Sequence, residues 1–144
     1  MNACLFCTSP DIQKRTIVAE GLVWAFLTRT PITPGHTLIC PVRCVQTMDE
    51  LTREERQALE DLRKRIVAAL KQQFKAQGFH FAWNEGSVAG QSVPHLHLHV
   101  VPRNDSDSGI IEYEPRKFLY RPGSRAETPE DELRTIAQLL RPIV

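Results

Sequence analysis

The chain has 144 residues, which is enough for one domain, and its 42% hydrophobic and 24% charged residues are an ordinary balance for a globular protein. The net charge of +1 predicts no general attraction to nucleic acid or to a membrane surface. The sequence has no apolar run of the roughly 18 residues that a transmembrane helix needs, and it begins without the pattern of a secretory signal. We therefore expect a cytoplasmic protein with reduced cysteines.

Three short β-strands are predicted near the start of the chain. Residues 16–20 and 22–27 are rich in strand-forming side chains and flank Gly21, which indicates two strands that turn at this glycine. Two prolines and a glycine make residues 30–35 a loop. Residues 36–41 are predicted as a third strand that ends at Pro41, because proline has no N–H to donate to a neighbouring strand.

The clearest helix spans residues 52–76. Thr52 and Glu55 have the spacing of a capping box, and Gly78 follows the predicted end. The apolar residues of this helix fall on one stripe that we interpret as facing the core, namely Leu59, Leu62, Ile66, Leu70 and Phe74.

Two more strands and a second helix complete the predicted fold. Residues 79–84 and 95–101 are the strands, and the glycine-containing segment 85–94 between them is a loop. A short helix is predicted with Thr128 as N-cap, Pro129 as its first residue and an apolar face of Leu133, Ile136 and Leu140. The result is an α+β fold: an antiparallel sheet of about five strands, one long helix and a short C-terminal helix. We expect a single domain over residues 1–144, in which 103–144 form a less regular extension.

Three of the five histidines lie in residues 95–101, which read HLHLHVV. Side chains alternate between the two faces of a strand, so His95, His97 and His99 share one face, and the intervening apolar residues face the core. This spacing indicates either a reaction centre or a metal site that uses two or three of the imidazoles. A single histidine in a strand, such as His80, has the simpler interpretation of a structural residue.

Residues 84–103 (NEGSVAGQSVPHLHLHVVPR) closely resemble the signature of the histidine-triad (HIT) superfamily, and residues 34–43 (PGHTLICPVR) resemble its second conserved block. The resemblance covers residues 4–103. It extends to two branches, the fragile-histidine-triad or diadenosine polyphosphate hydrolases and the histidine-triad nucleotide-binding phosphoramidases. It implies a HIT-like fold, a homodimer and a nucleotide hydrolase or transferase that acts on the α-phosphate of adenosine nucleotides without an organic cofactor.

The resemblance assigns a role to each histidine of the motif. His97 is the nucleophile and forms a covalent nucleotidyl-histidine, which suits a neutral imidazole near pH 7. The backbone carbonyl of His95 accepts the proton on the opposite ring nitrogen. His99 contacts the oxygens of the α-phosphate or protonates the leaving group, and His36 supports the triad from behind.

The substrate contacts are predicted in the same way. Asn84 is expected at the phosphate or its bridging oxygen, and the turn before the histidines offers amides and polar side chains to the developing negative charge. The residues of this turn are Gly90, Gln91, Ser92 and Val93. The family usually places an acidic or amide residue against the ribose at the position of Thr28, where threonine makes a weaker contact. Candidate walls of the nucleoside pocket are Phe6, Phe26 and Leu27.

The cysteines suggest a metal site. Cys4 and Cys7 have the spacing of half a zinc knuckle. Some similar family members complete such a site with the first triad histidine and with a histidine at the position that Cys44 occupies here. We therefore predict a structural zinc on Cys4, Cys7, Cys44 and His95, with Cys40 in the core. The alternative is that these cysteines are reduced, buried thiols without a metal.

Several functions stay open at this point. The substrates of the enzyme are either dinucleoside polyphosphates or nucleoside phosphoramidates. A non-catalytic, zinc-stabilised nucleotide-binding module is the alternative from a different class. A third hypothesis is a hydrolase whose zinc lies on the triad itself.

Overall fold

The computed structural model describes residues 4–107 and 127–144. Its sheet contains five antiparallel strands in the order β1-β2-β3-β5-β4, namely β1 (Thr16–Glu20), β2 (Val23–Leu27), β3 (Thr37–Pro41), β4 (Gly78–Ala82) and β5 (Leu98–Arg103). The helices are α1 (Leu5–Thr8), α2 (Pro10–Lys14), α3 (Arg53–Phe74) and α4 (Glu130–Leu140), with short 3-10 turns at Met48–Glu50, Ser87–Ala89 and Arg141–Ile143. The predicted α+β fold is confirmed. Within the predicted extension 103–144, residues 108–126 lie outside the described residues.

Helix α3 begins as predicted and ends earlier. The Thr52 hydroxyl accepts the amide of Glu55, and the Glu55 carboxylate accepts the amide of Thr52, which completes the capping box. The prediction that the helix continues to residue 76 was wrong, because Lys75 adopts a left-handed conformation (φ 55°) and stops it. Gly78 is not a cap and instead begins β4.

Two apolar clusters cover the two faces of the sheet. The helix-side core lies between the sheet and helices α3 and α4, and the predicted stripe of α3 lies in it or packs against it. It also contains the apolar residues of the histidine segment, Leu96, Leu98 and Val100, as strand alternation predicts. The second cluster lies on the side of α1 and α2 and consists of Phe6, Ile12, Phe26, Leu38 and Cys40. The buried position of Cys40 confirms its prediction as a core residue.

The loop from β2 to β3 sits directly on α3 because of a glycine. Gly35 has φ +91°, and a Cβ at this position would lie 2.9 Å from the Leu70 side chain and 3.0 Å from the Phe74 ring. Any larger residue would separate the loop from the helix. This close approach fixes His36, the next residue, which is fully buried.

The last strand starts later than predicted. β5 begins at Leu98, so His95 and His97 precede the hydrogen-bonded ladder. The amide of His95 donates to the Val93 carbonyl and the amide of Leu96 to the Val45 carbonyl, both at 2.7 Å. These two amides are therefore used by loop contacts instead of by neighbouring strands.

The C-terminal helix also starts later than predicted. Pro129 is its N-cap with an extended ψ of 140°, and Glu130 is its first residue, so Thr128 is not the cap. The Thr128 amide donates to the Arg29 carbonyl at 2.7 Å, which ties the segment before the helix to the end of β2. In the parts of the chain that the structure describes, no helix is both long and apolar enough to cross a bilayer.

Glu55 joins the start of α3 to the segment after β3. The Arg43 guanidinium donates to both carboxylate oxygens of Glu55, at 2.7 and 3.2 Å, and to the Glu50 carbonyl at 2.7 Å. The Arg43 hydrogen bond holds the pKa of Glu55 below its usual value, although burial acts in the opposite direction. Because the folded-state pKa is lowered, the ionised carboxylate stabilises the fold at neutral pH, and this contribution is lost as the pH falls from about 5.

Substituting Glu55→Gln is expected to lower the melting temperature at pH 7 by roughly 2–4 °C, the scale of a partly exposed ion pair. Glutamine still serves in a capping box, so the variant removes the charge while the cap remains. Thermal unfolding of both proteins from pH 7 to pH 3.5 checks this, and the two melting temperatures should converge at the acid end. A difference that stays constant with pH contradicts the assignment.

Candidate active site and metal centre

The nucleophile predicted from the sequence is held by one backbone hydrogen bond. The Nδ1 atom of His97 lies 2.7 Å from the carbonyl oxygen of His95. Since a carbonyl can only accept, Nδ1 carries the proton and Nε2 has the lone pair. Burial lowers the pKa of His97, the bond to the His95 carbonyl raises it, and the neighbouring His95 lowers it further. The net lowering keeps this imidazole neutral and nucleophilic near pH 7.

The other two site histidines form a chain of defined tautomers. The Ile32 amide donates to Nδ1 of His36 at 3.0 Å, so the proton of His36 is on Nε2. That Nε2 lies 2.9 Å from Nδ1 of His99 and donates to it. His99 therefore carries its own proton on Nε2. The rings of His97 and His99 are in contact, with 5.1 Å between their centroids, so a ring with an acceptor Nε2 packs against a ring with a donor Nε2.

Three cysteines and the remaining triad histidine form a second group, the cysteine–histidine cluster (Cys4, Cys7, Cys44 and His95), whose ligand atoms all lie within 4.8 Å of one another. The His95 Nδ1 lies 3.3 Å from the Cys4 sulfur and 3.5 Å from the Cys7 sulfur. Its Nε2 donates to the Pro41 carbonyl at 2.7 Å, so the lone pair of Nδ1 faces the sulfurs. The four residues predicted as ligands are thus brought together.

The chemistry of this cluster fits a divalent metal. Three thiols and one imidazole are a typical donor set for structural zinc, and the Pro41 carbonyl fixes the ring in the ligating tautomer. Burial, together with the neighbouring Cys4, raises the pKa of Cys44 to about 12, and burial raises that of Cys7 as well. A cation among the sulfurs would supply the positive charge that the thiolates need.

The loop residues predicted to bind phosphate differ in their burial and in their hydrogen bonds. Gly90 adopts φ +96°, a conformation that favours glycine. Gln91 is buried, and its side chain accepts the Gly86 amide and donates to the Gln46 carbonyl, both at 2.9 Å. The Asn84 amide lies 3.4 Å from the Gly90 carbonyl, Ser92 is exposed, and Val93 packs against the cluster of Phe6 and Phe26. Gln91 and Asn84 therefore hold the loop in shape, and their phosphate contacts stay predictions.

The residues predicted to contact the nucleoside lie in two different places. Phe6 packs edge-on against the ring of His97, with 5.1 Å between centroids, and against Phe26 at 5.2 Å. Thr28 lies at the end of β2, where its hydroxyl accepts the Thr30 amide at 3.3 Å. Together with Leu27, it lines a small cavity between the β2–β3 loop and α4. Phe6 thus forms a wall beside the nucleophile, the fully buried Phe26 packs behind it, and Leu27 belongs to the helix-side core.

Sequence reasoning missed three contributors to the site. Two are main-chain groups, the Ile32 amide and the Pro41 carbonyl, which set the tautomers of His36 and His95. The third is the buried Arg15, whose guanidinium lies over the Phe26 ring and donates to the Leu27 carbonyl at 2.7 Å and to Glu130 of α4 at 3.0 Å. Main-chain groups leave no signal in residue type, and the Arg15 contact joins positions far apart in the chain.

Comparisons with known proteins agree with this fold and site. The family model of the HIT domain matches residues 9–106, so the chain belongs to the HIT family. A bis(5'-adenosyl)-triphosphatase of Dictyostelium discoideum is 32% identical over 133 residues, which cover 91% of this chain and 86% of that protein. This relative supports the predicted likeness to the fragile-histidine-triad branch.

Solved structures agree with the fold described above. A hypothetical histidine triad nucleotide-binding protein from Sulfolobus tokodaii has a TM-score of 0.76 and 24% identity, covering 96% of this chain and 90% of that one, which supports the fold. A zinc-bound histidine triad family protein from Mycobacterium smegmatis has a TM-score of 0.70 and 28% identity, covering 96% of this chain and 93% of that one.

Proposed function

We propose that this member of the HIT family is a nucleotide hydrolase in which His97 attacks the α-phosphate of an adenosine nucleotide. The observation that carries the proposal is the 2.7 Å hydrogen bond from His97 Nδ1 to the His95 carbonyl, which leaves Nε2 as a lone-pair nucleophile. The named activity of the Dictyostelium discoideum relative favours dinucleoside polyphosphates, and diadenosine triphosphate in particular, over phosphoramidates.

The reaction then proceeds in two displacements. In the first, Nε2 of His97 forms a bond to the α-phosphorus, and the bond to the leaving phosphate oxygen breaks, so ADP departs from diadenosine triphosphate. The His95 carbonyl stabilises the positive charge that develops on the His97 ring. In the second, a water molecule attacks the same phosphorus and loses one proton to the solvent, the P–N bond breaks with its electron pair returning to Nε2 of His97, and AMP leaves. His99 donates from Nε2 to the phosphate oxygens in both steps.

We also propose that the cysteine–histidine cluster binds one structural zinc. It offers four protein ligands, which fills a tetrahedral site and leaves no position for substrate. The reducing cytoplasm predicted for this protein would keep its thiols available as ligands. A metal on His97 and His99 is disfavoured because several ring nitrogens around them already bond to protein groups. These are Nδ1 of His97, Nδ1 of His99 and both nitrogens of the neighbouring His36.

The homodimer implied by the family resemblance is proposed to form through β4. This strand lies at one edge of the sheet, and its Phe81 and the following Trp83 are 43% and 45% exposed. The Arg63 guanidinium of α3 lies over the Phe81 ring, so the strand edge and the helix form one continuous surface. Exposed aromatic residues on a strand whose outer edge pairs with no other strand among residues 4–107 and 127–144 are typical of an interface.

Substituting Phe81→Glu is expected to convert the dimer to a monomer, because it replaces an exposed aromatic ring of the proposed interface by a charged side chain that is costly to bury. Light scattering after size-exclusion chromatography checks this. Leu22→Glu, which changes an equally exposed apolar residue at the β1–β2 turn, is the matched control and should stay dimeric. A wild-type chain that is monomeric at high protein concentration contradicts this part of the proposal.

The hydrolase is tested by separate incubations with diadenosine triphosphate, diadenosine tetraphosphate and adenosine 5'-phosphoramidate, each beside a His97→Ala control. Release of AMP that depends on His97 supports the enzyme, and the relative rates identify the substrate class. Tight AMP binding without turnover of any of the three would favour the non-catalytic nucleotide-binding module.

A further inference from the structure

Phe6 connects the cysteine–histidine cluster to the nucleophile. It lies between Cys4 and Cys7 in the chain, and its ring packs edge-on against the ring of His97. The same ring also contacts Phe26 and, at 5.7 Å between centroids, His95. Whatever holds the two cysteines therefore also holds this aromatic wall beside the reacting nitrogen.

His95 makes a second connection through its own backbone. The side chain presents Nδ1 to the sulfurs of the cluster, while the carbonyl of the same residue accepts the Nδ1–H of His97. A metal ion on the ring would fix the position of His95, and with it the carbonyl that sets the tautomer of the nucleophile. Two separate contacts of His97 thus depend on residues of the cluster.

The segment that carries Phe6 needs an external support. Helix α1 has only four residues, and its N-cap Cys4 makes no side-chain capping hydrogen bond. An isolated helix this short does not form in water. Cys4 and Cys7 approach His95 across 91 and 88 residues of sequence, so an ion that joins them ties the N-terminal turn to the catalytic segment. The helix-side core is built from other residues.

We infer that metal binding at the cysteine–histidine cluster orders the nucleotide site, because it holds Phe6 and the His95 carbonyl in the positions that nucleotide binding and attack require. This inference rests on the proposed hydrolase and its proposed zinc. Loss of the ion leaves the sheet and α3 folded, weakens AMP binding by about tenfold, the effect of losing an aromatic contact, and lowers kcat as well.

The test removes metal ligands from two different segments. Cys4→Ser changes the N-terminal turn, and Cys44→Ser changes the segment after β3, which carries no wall of the site. Leu5→Ser, which changes an exposed residue of the same N-terminal turn, is the matched control, and Cys44→His replaces one ligand by another kind. Each purified protein is compared for zinc per chain, cooperative thermal unfolding, the Kd of AMP by calorimetry, and kcat and KM.

Both cysteine-to-serine variants are expected to lose zinc, to unfold cooperatively and to bind AMP about tenfold more weakly. Leu5→Ser and Cys44→His are expected to keep zinc and the wild-type Kd. A folded, zinc-free variant whose Kd stays within about twofold of the wild type overturns the inference. Loss of cooperative unfolding in both cysteine-to-serine variants also overturns it, because the ion would then support the whole fold.

Two results separate this inference from the proposals on which it rests. The metal proposal, and this inference with it, is contradicted by a wild-type protein that hydrolyses nucleotides, contains no zinc as isolated and binds none when zinc is added. A zinc-loaded wild type without turnover contradicts the proposed hydrolase, whereas the AMP titrations still decide whether the metal orders the nucleotide site.

Discussion

Substituting His97→Ala is expected to lower kcat for diadenosine triphosphate by roughly 10⁴-fold or more, since the variant lacks the only atom that forms the P–N bond in our mechanism. The Kd of AMP should change by less than about fivefold, because Phe6, Phe26 and the loop before the histidines stay in place. Product analysis by chromatography and calorimetry with AMP measure the two effects.

His80→Ala is the matched control for this substitution. His80 lies on β4 opposite Val101 of β5 and has no role in the proposed site. The control should retain turnover near the wild-type rate. A His97→Ala variant that keeps more than about a hundredth of the wild-type kcat would contradict the assignment of His97 as nucleophile.

Substituting His36→Ala is expected to lower kcat by roughly 10²–10³-fold with a small change in KM. In the wild type, the Ile32 amide fixes the proton of His36 on Nε2, and His36 then donates to Nδ1 of His99. Without this donor, His99 can place its proton on Nδ1 and no longer offers Nε2–H to the phosphate. Steady-state kinetics measure the loss of kcat, and thermal unfolding reports any loss of stability from this fully buried position.

His36→Gln distinguishes a role in the tautomer from a role in packing. The glutamine amide nitrogen reaches about as far as Nε2 of histidine and can donate to His99. We expect the kcat of this variant to be at least tenfold higher than that of His36→Ala, because one correctly oriented hydrogen-bond donor can change kcat by this much or more. Equal kcat values for the two variants, with equal melting temperatures, would show that His36 does not act through the proton of His99.

Most of the fold was predictable because local signals agreed with the tertiary structure. The capping box of Thr52 and Glu55 and the apolar stripe of α3 predicted the long helix, and the glycine at position 21 predicted the first hairpin. The errors lie at the ends of helices and strands, where the local rules are weakest. Lys75 ends α3 in a conformation that favours glycine, and loop hydrogen bonds keep His95 and Leu96 out of the β5 ladder.

The sequence predicted the parts of the site that consist of side chains. The spacing of the histidines and the cysteines, together with the family resemblance, indicated both groups, and the structure brings Cys44 to the other three predicted ligands. The family resemblance already implied both roles of His95, as a zinc ligand and as the carbonyl acceptor for His97. The structure places its ring beside the Cys4 sulfur and its carbonyl on His97 Nδ1. The sequence could not show that the Ile32 amide sets the tautomer of His36, because every residue except proline has such an amide.

The stereochemical course at the α-phosphorus tests the covalent mechanism most directly. The substrate is an adenosine polyphosphate in which sulfur replaces one non-bridging oxygen of the α-phosphate, as a single stereoisomer. It is hydrolysed in heavy-oxygen water, and the configuration of the product is determined. Two in-line displacements, the first by His97 and the second by water, predict overall retention. Inversion would show that water attacks the substrate directly, and it would contradict a nucleotidyl-His97 intermediate.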